Sequence, residues 1–208
     1  MTPASPTVYI VDDDASIRES LSSLIRSAGM RAEVFESPLE FLALQHLDDL
    51  SCVVLDVRMP GLDGLALQNK LAAQGNIIPI IFITGHGDVP LAVRAMKAGA
   101  VDFLNKPFND TDILSAIAVA LSRISAVSNE RLELADLRLR FENLTPREKQ
   151  IMLEVAKGRP NKIIAYDLGV SESTIKVHRH NVMNKMKLKS LPELALVIQR
   201  LNSTLKYF

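Results

Sequence analysis

Four short apolar runs and a fifth strand-like segment, each set off by turn residues or a helical pattern, constrain this chain more than anything else in it. They are Val8–Val11, Ala32–Phe35, Cys52–Leu55, Ile78–Ile83 and Val101–Leu104. Short apolar runs of this kind suit strands buried on both faces, and their alternation with helical spacing predicts βα units around a parallel sheet. After Asp12, Asp13 and Asp14, the residues Ile17, Leu21, Leu24, Ile25 and Ala28 recur at helical spacing until Gly29 stops them. Ser37-Pro38 places a cap and a first-turn proline ahead of a second helix reaching about Leu47. Met59-Pro60-Gly61 is a turn, and further helices are expected over Leu62–Ala73, Val89–Ala98 and Asp110–Leu121. Residues 1–121 are therefore expected to form a five-stranded doubly wound parallel sheet of flavodoxin-like order.

In such a sheet the carboxyl ends of the strands share one edge, with the site at the point where strand order reverses. That edge would gather Asp12, Asp13, Asp56, Thr84 and Lys106. Three carboxylates, a hydroxyl and an ammonium suit a divalent cation and a phosphoryl group. Moving a phosphoryl group onto a carboxylate brings two anions together, so a cation is needed between them. Mg²⁺ accepts hard oxygen ligands and keeps some of its waters. Asp13 and Asp56 would bind it directly, Asp12 would hold one of its waters, and the Arg58 backbone carbonyl would supply a further ligand. Asp56, alone on its strand end, is the expected nucleophile. Lys106 would pair with the phosphoryl oxygens and Thr84 would donate a hydrogen bond to them. The peptide before Pro107 is a candidate for the cis form. A metal-dependent phosphohydrolase with a nucleophilic aspartate needs a second carboxylate two residues later, where Arg58 stands. The intact acidic set also argues against a binding protein that no longer uses phosphate.

The rest of the chain is different in kind. Residues 122–143 contain no glycine or proline and hold four basic and four acidic residues, which reads as a helical linker. Leu114, Ile117, Leu121 and Ile124 follow 3–4–3 spacing, and Val127, Leu134, Leu137, Phe141 and Leu144 resume it after a phase shift. Two readings stay open: a short coiled-coil dimer, and an amphipathic helix lying on its own domains. From Leu144 to Phe208 the pattern is all-helical. Thr145-Pro146-Arg147-Glu148 is a capping box with a first-turn proline, opening a helix that ends near Lys157-Gly158. Asn161 can cap a short helix to Leu168, Gly169 permits a tight turn, and Ser171 caps a third helix to about Lys187. Ser190–Leu201 forms a fourth. Short helix, glycine turn and longer basic helix make a helix-turn-helix signature.

Charge separates the two parts. Residues 1–121 carry 8 basic and 15 acidic side chains, a net of −7, and residues 144–208 carry 12 and 5, a net of +7. A polyanion is the expected partner of the basic part. The single cysteine, Cys52, excludes an internal disulfide and a cysteine-based zinc site. Cys52 and Met59 read as packing, and His86 as loop surface. No uninterrupted apolar run approaches the roughly 18 residues that span a bilayer. Met1–Thr7 lacks the basic and apolar stretches of a secretory signal. A cytoplasmic protein without a membrane partner is expected.

Several stretches carry a family resemblance. Leu55-Asp56-Val57-Arg58-Met59-Pro60-Gly61, Thr84-Gly85-His86-Gly87-Asp88-Val89-Pro90, Ala95-Met96-Lys97-Ala98-Gly99-Ala100 and Phe103-Leu104-Asn105-Lys106-Pro107-Phe108 resemble receiver domains of two-component response regulators, and among them the FixJ branch. The resemblance implies that Asp56 takes a phosphoryl group from the phosphohistidine of a sensor histidine kinase, with Mg²⁺ required. Thr84 and Phe103 would couple that group to the face of the fourth helix and fifth strand. Family dimers pair through this face, which nominates Val93 and Lys97 for a homodimer contact.

Leu144–Leu201 resembles the LuxR/NarL-type DNA-binding domain through Leu144–Glu148, Asn161–Ala165 and Ser173–His178. By that resemblance the third helix enters the major groove of double-stranded DNA. Lys176, Val177 and His180 match groove-contact positions, although many relatives carry lysine where His180 stands and Arg179 is its alternative. Lys162, Ser173, Thr174, Arg179, Asn181 and Lys185 are candidates for phosphate positioning. Activation of transcription, with RNA polymerase as a further partner, follows from the same likeness. The expected protein is thus a phosphorylation-driven regulator rather than an enzyme.

Overall fold

A computed structural model describes residues 5–85 and 89–205, with side chains described as far as residue 202. His86 and the first four residues of the Met1–Thr7 segment lie outside the described residues. The five strands are β1 (Thr7–Val11), β2 (Arg31–Phe35), β3 (Ser51–Asp56), β4 (Ile80–Thr84) and β5 (Asp102–Asn105). All pair in parallel, in the order β2-β1-β3-β4-β5, so this part of the chain has the flavodoxin-like arrangement that the sequence predicts.

The three inner strands are buried at every position and both edge strands are partly open. Helices cover both faces of a parallel sheet, so its inner strands read as continuous apolar runs. Alternate residues serve opposite faces. Val8, Ile10, Cys52, Val54, Ile81 and Ile83 pack with Leu21 and Ile25 of α1 (Ala15–Ser27) and with Ile113, Ala116, Ile117 and Ala120 of α5 (Asp110–Glu142). On the other face Tyr9, Val11, Val53, Leu55 and Phe82 pack with Phe41 of α2 (Pro38–Leu42), Leu67 and Leu71 of α3 (Gly64–Ala73) and Ala95 of α4 (Val89–Lys97). Each fully buried leucine or isoleucine side chain contributes about 1.5–3 kcal/mol. Cys52 and Met59 are buried packing residues, as expected.

Helix α2 is shorter than expected, ending at Leu42 rather than near Leu47. The following segment is drawn to the sheet instead: the Asp48 N–H donates to the Tyr9 hydroxyl, and Thr7 Oγ1 donates to Asp48 Oδ2 at 2.6 Å. Strand β4 begins at Ile80 rather than Ile78, just after Pro79, which has no N–H to give a ladder.

The chain divides into two compact units at Ser128/Asn129, within α5. Helix α5 is the one described helix long and apolar enough, by length and composition, to cross a membrane. Its Ile113, Ala116, Ile117 and Ala120 are core residues of the first unit, which accounts for them without a bilayer. Within the second unit, Leu137 and Phe141 of α5 are buried with Leu144 in a helical core. That core also takes in α6 (Pro146–Ala156), α7 (Asn161–Asp167), α8 (Glu172–Met186) and α9 (Leu191–Leu205). Leu137 and Phe141 are the residues of the 122–143 segment that this core takes in. The capping box on α6 is complete and Ser171 caps α8. Asn161 does not cap α7: Pro160 takes that position, and Asn161 Oδ1 accepts from Arg179.

Candidate functional site

Strand register assembles the first site. Val11 pairs with Leu55, so Asp12 and Asp56 leave neighbouring strands side by side. Asp56 pairs with Ile83, and Thr84 pairs with Asn105, the residue before Lys106. The Lys106 N–H donates to the Thr84 carbonyl at 2.7 Å, and the Lys106-Pro107 peptide is cis.

Lys106 Nζ lies between the two carboxylates, donating to Asp12 Oδ2 at 2.7 Å and to Asp56 Oδ1 at 2.8 Å. The remaining oxygens are held by backbone. Asp12 Oδ1 accepts from the Asp14 N–H at 2.9 Å, and Asp56 Oδ2 accepts from the Arg58 N–H at 2.6 Å. Arg18 fixes the same loop by donating to the Asp12 carbonyl. Asp12, Asp56 and Thr84 are buried, whereas Asp13 is exposed.

Burial pushes the Asp56 carboxyl above its ordinary pKa, and the nearby Asp12 charge adds to this. Lys106 and the Arg58 N–H pull the other way without cancelling it. Burial works to lower the Lys106 pKa, but hydrogen bonds and charge from Asp12 and Asp56 outweigh it and hold the ammonium above its ordinary value. The lysine gains from two partners, whereas Asp56 has only a share of one cation to set against its burial.

The donor set has the chemistry of a hard divalent cation. Among the described residues no three His, Cys, Asp or Glu side chains form a ready metal cluster. Mg²⁺ does not require one, since it commonly uses one or two carboxylates and keeps its waters. Asp12, Asp13 and Asp56 present only oxygen, and two of these three carboxylates share a single bonded ammonium.

Gly64 is a site residue that sequence reasoning missed. A Cβ there would sit 2.3 Å from the Asp56 backbone oxygen, and the Gly64 N–H donates to Val57. Phe103 is half-buried, its ring 6.2 Å from that of Phe82. Val93 and Lys97 are exposed on α4, where Val89 and Met96 extend the apolar surface.

In the helical unit Ser173, Lys176, Val177 and His180 are exposed on α8 at i, i+3, i+4 and i+7, which makes one stripe. Thr174 and Asn181 are half-buried beside it, and Lys162 is exposed on α7. His180 Nε2 pairs with Asn184 at 2.9 Å and Lys176 with Glu172 at 3.2 Å. Two expected phosphate contacts have partners inside the unit. Arg179 donates to Asn161 at 3.2 Å, and Lys185 donates to the buried Glu148 at 2.7 Å. Burial works to raise the Glu148 pKa, but Lys185 and Thr145 hold it below its ordinary value.

Residues 8–118 match the family model of the response regulator receiver domain, and residues 142–198 match that of the luxR family of bacterial regulatory proteins. This chain belongs to the two-component response regulators. It is 46% identical over 206 residues to the response regulator protein TmoT of Ectopseudomonas mendocina, covering 99% of this chain and 94% of that one. It is 45% identical over 194 residues to the transcriptional regulatory protein FixJ of Bradyrhizobium diazoefficiens, covering 93% and 94%. The solved structure of the response regulator StyR superposes with a TM-score of 0.83 at 45% identity, covering 95% of this chain and 100% of that one. The regulator therefore joins a receiver to a LuxR-type DNA-binding domain, an arrangement that implies a histidine kinase upstream and DNA downstream.

Proposed function

We propose that Asp56 is the phosphoacceptor of this response regulator and that its modification promotes dimerisation and sequence-specific DNA binding. The carrying observation is the Lys106 ammonium bridging Asp12 and Asp56 at the carboxyl edge of the sheet. An Asp56 carboxylate oxygen forms a bond to phosphorus as the bond from phosphorus to the kinase's histidine nitrogen breaks. The Arg58 N–H and Lys106 hold the Asp56 carboxylate in place for that attack. Lys106 then turns to the new phosphoryl oxygens, and the buried Thr84 hydroxyl is set to donate to them. Asp13, Asp56 and the Arg58 carbonyl would hold Mg²⁺, with Asp12 engaging one of its waters. Bound there, Mg²⁺ neutralises charge between donor and acceptor.

Phosphorylation adds about −1.5 to −2 charges at the rim. Phe103 and α4 would respond, with Val93 and Lys97 in the homodimer contact. Moving a two-state equilibrium from 1:99 to 99:1 takes about 5.5 kcal/mol, and typical couplings supply about 1–3. Dimerisation and DNA supply the rest. The exposed α8 stripe of Lys176, Val177 and His180 would read base edges in the major groove, with Lys162, Ser173, Thr174, Arg179, Asn181 and Lys185 placing the phosphates. RNA polymerase would be the downstream partner in transcription activation. The proposed domains are a receiver over residues 1–121, a helical linker over 122–143 and a DNA-binding domain over 144–208. Footprinting after treatment with a small acyl phosphate tests the proposal. The wild-type chain gains occupancy and a Mg²⁺-dependent label, and Asp56→Asn gains neither. Equal occupancy by both would refute it.

A further inference from the structure

Helix α8 is tied to its surroundings by polar contacts to three elements: to α7 through Arg179 and Asn161, to α6 through Lys185 and Glu148, and to α5 through Arg140. The third tie lies outside the LuxR-family match, which begins at residue 142. Arg140 Nη1 donates to the Met186 carbonyl at 3.1 Å, and its Nη2 donates to Asp136 one turn earlier on α5. A helix leaves its last carbonyls without intrahelical partners and carries partial negative charge there, so a guanidinium is the favoured cap.

The end of α8 needs such support. Its C-cap is Lys187, at φ 55° and ψ 43°, the one non-glycine residue with positive φ among the described residues. A left-handed residue with a side chain is disfavoured by about 1–2 kcal/mol, so Arg140 holds Met186 beside a strained position. The same face of α5 buries Leu137 and Phe141 in the core that contains Met186.

We infer that Arg140, oriented by Asp136, is a positioning residue for DNA recognition. It fixes the end of α8 to α5 and so sets the pose in which α8 meets the groove. The inference rests on the proposed reading of α8 as the groove-contacting helix.

The test measures binding of the acyl-phosphate-treated full chain to two duplexes by fluorescence anisotropy across a salt series. One duplex is selected from a random pool with the wild-type chain, and the other is an unselected duplex of equal length. Arg140→Gln lowers affinity for the selected duplex by about tenfold, corresponding to about 1.4 kcal/mol, and changes the unselected one little. Its salt slope stays that of wild type, because a group on a backbone carbonyl neutralises no phosphate. Arg140→Lys recovers part of the loss. Asp136→Asn alters a side chain that is 54% exposed, so it folds, and it gives a smaller loss of the same kind. A slope reduced by about one would make Arg140 a phosphate contact and overturn the inference. Equal losses on both duplexes, or no loss, would overturn it as well. The control Lys176→Ala separates the two levels. If it leaves selected binding intact, the α8 reading fails and this inference with it. If it weakens binding while Arg140→Gln does not, this inference fails alone.

Discussion

Replacing Lys106 by methionine should destabilise the first unit through a mechanism specific to the pocket. The ammonium is 19% exposed, and its two carboxylate partners are 1% and 7% exposed. Among the described residues, removing it leaves two buried like charges that accept from the Asp14 and Arg58 N–H groups. Breaking a buried ion pair from one side costs about 3–5 kcal/mol, and partial exposure of the lysine places this case at the low end. A loss near 3 kcal/mol lowers the melting temperature of such a unit by roughly 10 °C. Asp56→Asn behaves differently, because burial dominates the raised Asp56 pKa. The neutral amide removes a desolvated charge while Lys106 keeps Asp12, so stability should change by less than about 1 kcal/mol. The double variant should recover more than half of the lysine loss. The sign with pH is also set. In Lys106→Met the Asp56 carboxyl, already raised by burial, loses the ammonium that lowers it, so stability returns as pH falls from neutral towards its folded pKa. In wild type, by contrast, the Lys106 contribution is complete below pH 10.5 and lost as pH rises through its higher folded value. The chain has no tryptophan, so far-UV circular dichroism in urea, with amide exchange at β1 and β3, is the assay. Equal urea midpoints for Lys106→Met and wild type at neutral pH, or no recovery on acidification, would refute the reasoning.

Gly64→Ala should cost about 1–3 kcal/mol, as overpacking does, and should slow labelling of Asp56, because the added methyl displaces the strand end that presents it; thermal melts and acyl-phosphate labelling report both. Glu148 has a folded pKa below its ordinary 4.5, so its contribution is present above pH 4.5 and lost as pH falls through the lower value. Glu148→Gln should remove that acid dependence from the melt of the helical unit, and Lys185→Met should destabilise the unit by about 1–2 kcal/mol at neutral pH. Val93→Asp should leave labelling of Asp56 intact and abolish the phosphorylation-dependent increase in mass seen by light scattering.

Sheet order and most of the pocket were legible because a parallel sheet converts strand ends into neighbours. Asp12, Asp56, Thr84 and Lys106 needed only the strand boundaries to be placed. What escaped depends on contacts with no local spacing. Gly64 looks like an ordinary helix-start glycine until the Asp56 carbonyl is seen against it. The capping-box role of Glu148 was readable three residues from Thr145, but its bond to Lys185 spans 37 residues. Likewise Asn161 is a good capping residue by type, but Pro160 holds the cap position in extended conformation and Asn161 is already the first helical residue. The early end of α2 goes with Asp48 meeting Tyr9 and Thr7, which lie about 40 positions upstream of it.

Lys106 reaches back 94 positions to Asp12 and 50 to Asp56. A growing polypeptide that has not yet delivered its fifth strand therefore holds two inward-facing acids with no counterion between them. The ammonium that joins those acids thus comes last, just past the final strand of the sheet, and ties the edge together only once every strand is in place.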